Sequence, residues 1–147
     1  MLIAHMICSL LSYVAFLVAF VTGIGFLIQE RQLKRKTMGW WFHRLPSLGA
    51  LDRLNFAAIG VGFWLLSAGM ACGVAGMRVW LGRWWMGDSK ACFTALLWAL
   101  YLLLWLVRLR ATLRGRRVAL LSILTFSLVL FTFLGASWLL PSKHPYL

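Results

Sequence analysis

Leu2-Ile-Ala-His-Met-Ile-Cys-Ser-Leu-Leu-Ser-Tyr-Val-Ala-Phe-Leu-Val-Ala-Phe-Val-Thr-Gly-Ile-Gly-Phe-Leu27 carries no charged side chain, and Gln29-Glu-Arg-Gln-Leu-Lys-Arg-Lys36 closes the run with Arg31, Lys34, Arg35 and Lys36. Crossing a hydrocarbon core of ~30 Å takes roughly twenty apolar residues in a helix, so the run reads as a transmembrane span. Cations gather on the cytoplasmic side of spans, which puts the N-terminus outside and the loop from about Gln29 to Arg53 inside. No basic segment precedes the run and no small-residue cleavage site follows it, so a retained span is expected, not a removable signal peptide. His5, Ser12, Ala15, Ala19 and Gly23 share one face at helical spacing. That face is small, as helix contacts in lipid prefer, and it directs His5 into the bundle. The other reading of His5 leaves it in the outer headgroup zone.

The same pattern recurs at about Leu54–Val79, Ala91–Val107 and Val118–Leu140, the last stopped by Pro141. With 63% hydrophobic and 12% charged residues, the expectation is a single all-α domain over 1–147. It is a polytopic bundle of four spans, about 2–27, 54–79, 91–107 and 118–140, with both termini outside. A net charge of +12 reads as positive-inside topology and not as nucleic-acid binding, because the cations flank the spans. The two inner loops hold six and five Lys or Arg, the outer loop from Arg78 to Lys90 three and the tail one. In the first inner loop, the aromatics of Gly39-Trp-Trp-Phe-His-Arg-Leu-Pro46 form an interfacial belt and His43 is a surface residue. Gly62, Gly69, Gly73 and Gly76 stripe the second span, with Gly69 and Gly73 in G-x-x-x-G spacing. This is a packing seam without chemistry of its own.

Between the second and third spans lies Trp80-Leu-Gly-Arg-Trp-Trp-Met-Gly-Asp-Ser-Lys90, an outer loop dense in indoles. His5 and His144 fall on the same side of the membrane as this loop. No phosphate-binding glycine loop, H-E-x-x-H or Ser/His/Asp set occurs, and three acids in the chain leave no carboxylate pair for acid-base catalysis. Cys8, Cys72 and Cys92 lack C-x-x-C spacing and read as small packing residues. A transporter is disfavoured, since no acid or base sits near mid-span.

Two outward histidines beside a tryptophan shelf can hold haem. Imidazole ligates iron, indoles offer an apolar surface, and Arg83, Lys90 or Lys143 can neutralise propionates. The plainer reading takes the same residues as interfacial anchors.

The chain resembles the C-terminal part of the cytochrome c assembly family that includes CcsA, CcmC and HemX, with a tryptophan-rich "WWD" domain. Ser12-Tyr-Val-Ala-Phe16 and Gln29-Glu-Arg-Gln-Leu-Lys34 are similar to the family's helix ending in Q-E-R-x-L-K. Leu45-Pro-Ser-Leu, Leu51-Asp-Arg-Leu-Asn-Phe56 and Gly62-Phe63 resemble its L-P-x-L-x-x-L-D-x-L entry to the next helix. Gly82, Trp84, Trp85, Asp88 and Lys90 match W-G-x-Y-W-x-W-D-P-K-E, with Trp98 and Tyr101 beyond it. Leu130-Phe-Thr-Phe-Leu-Gly135 and Lys143-His-Pro-Tyr146 resemble the final helix and the G-x-H-S-Y ending. The chain departs from the tryptophan motif at Leu81, Gly87, Ser89 and Ala91. The likeness also starts about halfway along the family pattern, without its preceding helices and intramembrane histidines.

The resemblance implies haem b held on the outer face, with His5 and His144 as axial ligands to iron. Trp80, Trp84 and Trp85 form the shelf, and Asp88 braces the loop through Arg83 or Lys90. The expected function is haem handling for c-type cytochrome biogenesis, as a carrier and not an enzyme, in the bacterial inner (plasma) membrane. Expected partners are the lipid bilayer and other membrane subunits of a cytochrome assembly or respiratory complex, and no nucleic acid. The alternative is a haem-free accessory subunit of a respiratory or photosynthetic complex built on the same fold.

Overall fold

The computed structural model describes residues 2–36, 46–82, 89–109 and 115–139. Among these, four helices form: α1 (Leu2–Arg35), α2 (Leu48–Leu81), α3 (Ser89–Leu109) and α4 (Arg116–Leu139). Three of them, α1, α2 and α3, are long and apolar enough to cross a bilayer. For the fourth span, side chains 132–140 lie outside the described residues.

α1 and α2 run well past the apolar segments that announce them. Each has 34 residues, about 51 Å of helix against a core of ~30 Å. Apolarity marks only the part in lipid, whereas local bonding extends the helix beyond it. In α1 the extension is braced by Lys34 donating to Glu30 one turn earlier, at 2.8 Å, and it ends where Lys36 turns left-handed at φ 52°. α2 starts on Ser47, whose hydroxyl accepts from the Ala50 amide at 3.3 Å, and ends on Gly82 at φ 64°. That left-handed turn suits glycine and lets its amide reach the Arg78 carbonyl at 3.1 Å.

Neighbours in sequence pack as neighbours in space, and α4 closes the ring against α1. α1 and α2 share the most extensive contact, along the seam that the glycine stripe foretells. Gly69 lies against Cys8 and Ser9, Gly73 against His5, and a Cβ at Gly62 would overlap the Phe16 ring. Ser12, Ala19 and Gly23 of the small face of α1 are buried, and Gly23 meets Ser122 and Ala119 of α4. Without a hydrophobic force between helices in lipid, such close backbone approach is what holds a pair together.

Aromatic rings fill the centre. Phe16 of α1 and Tyr101 of α3 stack across the bundle with centroids 3.5 Å apart, and Tyr101 is wholly buried. Phe63 stacks on Trp105 at 5.5 Å and lies 5.7 Å from Trp98, whose indole N–H donates to Ser67 Oγ at 2.8 Å. Phe20 and Phe126 tie α1 to α4 at 5.0 Å.

Candidate functional site

The contacts fix which helix ends meet. His5, near the start of α1, bonds to Gly69 in the second half of α2, so α1 and α2 are antiparallel. At the opposite end Asp52 of α2 pairs with Arg108 of α3, and Gly23 of α1 packs on the first turns of α4. One end of the bundle therefore gathers the N-terminus of α1 with the C-terminus of α2. This is the end from which the tryptophan loop leaves.

His5 is the expected site residue that the structure describes in full, and it faces the bundle. Its imidazole is half-buried on the glycine seam, where Nδ1 donates to the Gly69 carbonyl at 2.7 Å. A carbonyl oxygen only accepts, so the proton must be on Nδ1. Nε2 then carries the lone pair. A free lone pair on one ring nitrogen, with the other nitrogen tied to a carbonyl, is how a metal-ligating histidine is usually held.

Trp80 sits in the final turn of α2, two turns or about 10 Å of helix beyond Gly73. Its side chain, together with His144, Trp84, Trp85, Asp88, Arg83 and Lys90, lies outside the described residues, as do His43 and the aromatics of 39–45. Among the described residues no three His, Cys, Asp or Glu side chains cluster as a metal would require. Cys8 and Cys72 are half-buried and free, Cys8 against the seam, whereas Cys92 is exposed and contributes little packing. An open apolar groove of about 540 Å³ runs along Met70, Ala71, Val74, Ala75, Arg78 and Val79. Helical periodicity turns these residues away from Gly69 and Gly73, so His5 does not line it.

Two polar features escaped the sequence reading. Asp52 and Arg108 form an ion pair, with the Arg108 side chain 8% and the Asp52 side chain 26% exposed. The Arg108 guanidinium also lies 5.4 Å over the Phe56 ring. In the sequence Arg108 reads only as a topology cation and Asp52 only as part of a motif. Their signal was that each stands at the same margin of consecutive, antiparallel spans. The second feature is Asn55, whose amide donates to the Ala19 carbonyl at 2.6 Å, Ser122 Oγ at 3.2 Å and Thr22 Oγ1 at 3.4 Å. It joins α1, α2 and α4 at one point.

Long apolar helices sharing a buried polar and aromatic core define a polytopic membrane protein. The chain belongs to the cytochrome C assembly protein family, whose sequence pattern matches residues 1–144. It is 33% identical to a cytochrome c biogenesis protein CcsA of Prochlorococcus marinus over 96 residues, covering 65% of this chain and 31% of that protein. A CcsA from another strain of that species is 27% identical over 164 aligned positions, covering 99% of this chain and 52% of its own length. Protein HemX of Brevibacillus brevis is 28% identical over 135 residues, covering 92% and 50% respectively. The chain thus spans about a third to a half of the length of the curated relatives it matches. No solved structure matches it.

Proposed function

We propose that the chain handles haem for c-type cytochrome biogenesis in the bacterial inner membrane, as a carrier and not an enzyme. In this reading four spans leave both termini outside, and haem b is cargo held on the outer face. His5 and His144 would supply imidazoles to iron, Trp80, Trp84 and Trp85 an apolar shelf, and Asp88 a brace for the loop. Other membrane subunits of a cytochrome assembly complex would bring or receive the haem. When bound, haem contributes an iron with two axial positions that neutral imidazoles can fill.

The observation that carries the reading is the state of His5. Its Nδ1–H is committed to the Gly69 carbonyl, so Nε2 is the nitrogen left to bind a metal. A histidine kept only as a headgroup anchor needs no such tie to the neighbouring helix. Family membership over residues 1–144 and relatives named as cytochrome c biogenesis proteins support the same direction. The departures from the tryptophan motif at Leu81, Gly87, Ser89 and Ala91 favour the second reading, a haem-free accessory subunit.

The visible spectrum of protein purified from haem-replete cells separates the two. Low-spin bis-imidazole bands are expected, and both His5→Ala and His144→Ala should weaken haem retention. Each loss should exceed the ~10–100-fold that a group merely supporting a ligand contributes. A protein that stays colourless after haemin titration would discard the haem reading in favour of the accessory subunit.

A further inference from the structure

The Gly69-x-x-x-Gly73 stripe does more than bring two helices together. We infer that it is the seat that fixes the tautomer and direction of the His5 ring. Its use for haem rests on the function proposed above, although the seat can be tested without haem.

The argument starts from what each glycine leaves open. A Cβ at Gly73 would stand 3.0 Å from His5 Nδ1 and 3.2 Å from Cε1, so this edge of the imidazole occupies the space that a side chain would take. A Cβ at Gly69 would stand 3.1 Å from Ser9 Oγ and 3.4 Å from Cys8 Cβ. Gly69 thus sets how closely α1 approaches one turn further down, and that approach brings the ring within 2.7 Å of the Gly69 carbonyl. In an α-helix the same carbonyl faces the amide of residue 73, so the backbone amide and the imidazole share one acceptor at the notch.

The consequence is chemical. A histidine side chain free in water prefers its proton on Nε2, which would block the nitrogen farther from the backbone. The seat reverses that preference by giving Nδ1–H a part-buried acceptor, and it leaves Nε2 as the unprotonated nitrogen. Gly69 and Gly73 are positioning residues for His5. An alanine at 73 pushes the ring off the carbonyl, and both tautomers become available again.

The test uses the full chain, free of haem, in lipid nanodiscs, with ¹⁵N-labelled histidine. His43→Gln and His144→Gln leave His5 as the single reporter. The nitrogen spectrum is expected to show Nδ1 protonated and Nε2 bare. Gly73→Ala should lose this signature. Gly62→Ala, which strains the same seam against Phe16 far from the ring, should keep it. In the chain with its own histidines, Gly73→Ala should weaken haemin binding by about 10–100-fold, with free imidazole restoring the low-spin spectrum.

Three results would overturn the seat: a proton on Nε2 in the unmodified chain, an unchanged tautomer in Gly73→Ala, or an equal loss in Gly62→Ala. A chain with Nδ1 protonated that takes up no haemin keeps the seat and discards the haem reading.

Discussion

Asn55 shows how much a single polar side chain can organise inside an apolar bundle. Its amide meets a carbonyl of α1 and hydroxyls of α1 and α4, while Ser122 donates onward to Ala119 at 2.9 Å and Thr22 to Val18 at 2.7 Å. The amide nitrogen and both hydroxyls find acceptors, as buried donors in lipid require. Replacing Asn55 by Ala should destabilise the bundle by about 1 kcal/mol, the usual size of an interhelical hydrogen bond in a membrane. Denaturant-induced unfolding in mixed micelles measures it. Asn55→Leu should do no better, since added apolar surface gains little where lipid already surrounds it. Gly62→Ala should cost about 1–3 kcal/mol in the same assay, because Phe16 can yield only by breaking its stack on Tyr101.

At the scale of the helices, the Asp52–Arg108 pair locks the start of α2 to the end of α3. The two helices otherwise meet mainly through Phe63, Trp98, Trp105 and Leu97. Asp52→Asn leaves a nearly buried guanidinium without its counter-charge. A fully buried broken pair costs ~3–5 kcal/mol. Asp52 is a quarter exposed, so about 2 kcal/mol is expected here. Arg108→Met combined with Asp52→Asn should recover most of the loss, because no orphan charge remains. A double-mutant cycle with a coupling near zero would remove the pair from the account of α2–α3 packing.

For the whole molecule, the antiparallel order of the described helices puts His5 and the exit of the tryptophan loop at one end and the Asp52–Arg108 pair at the other. Clusters of Lys and Arg flank the second end, at Arg31 to Lys36, Arg53 and Arg116–Arg117. The positive-inside rule predicts that this end is cytoplasmic. In intact cells a membrane-impermeant thiol reagent should label a cysteine introduced at Ser142 and spare one introduced at Thr37, in a background with Cys8, Cys72 and Cys92 replaced. Equal labelling of both positions would reject the assignment of the outer face, and with it the placement of haem there.

The membrane class, the helices and their approximate limits, the small face of α1, the glycine seam and the family are all legible in the amino-acid order. All of these depend on the kind of side chain and its spacing along one helix, and both are local properties. The helices run past the expected spans by eight residues at Arg35 and six at Leu48, because hydropathy marks where lipid stops and not where backbone hydrogen bonding stops. Tertiary structure alone decided that Asn55 bonds to two other helices, that Arg108 answers Asp52, and that His5 lies on Gly73 with its proton held by Gly69. Each of these needs the rotation and vertical offset of one helix against another. Those are set by how closely the backbones pack, which no single helix encodes.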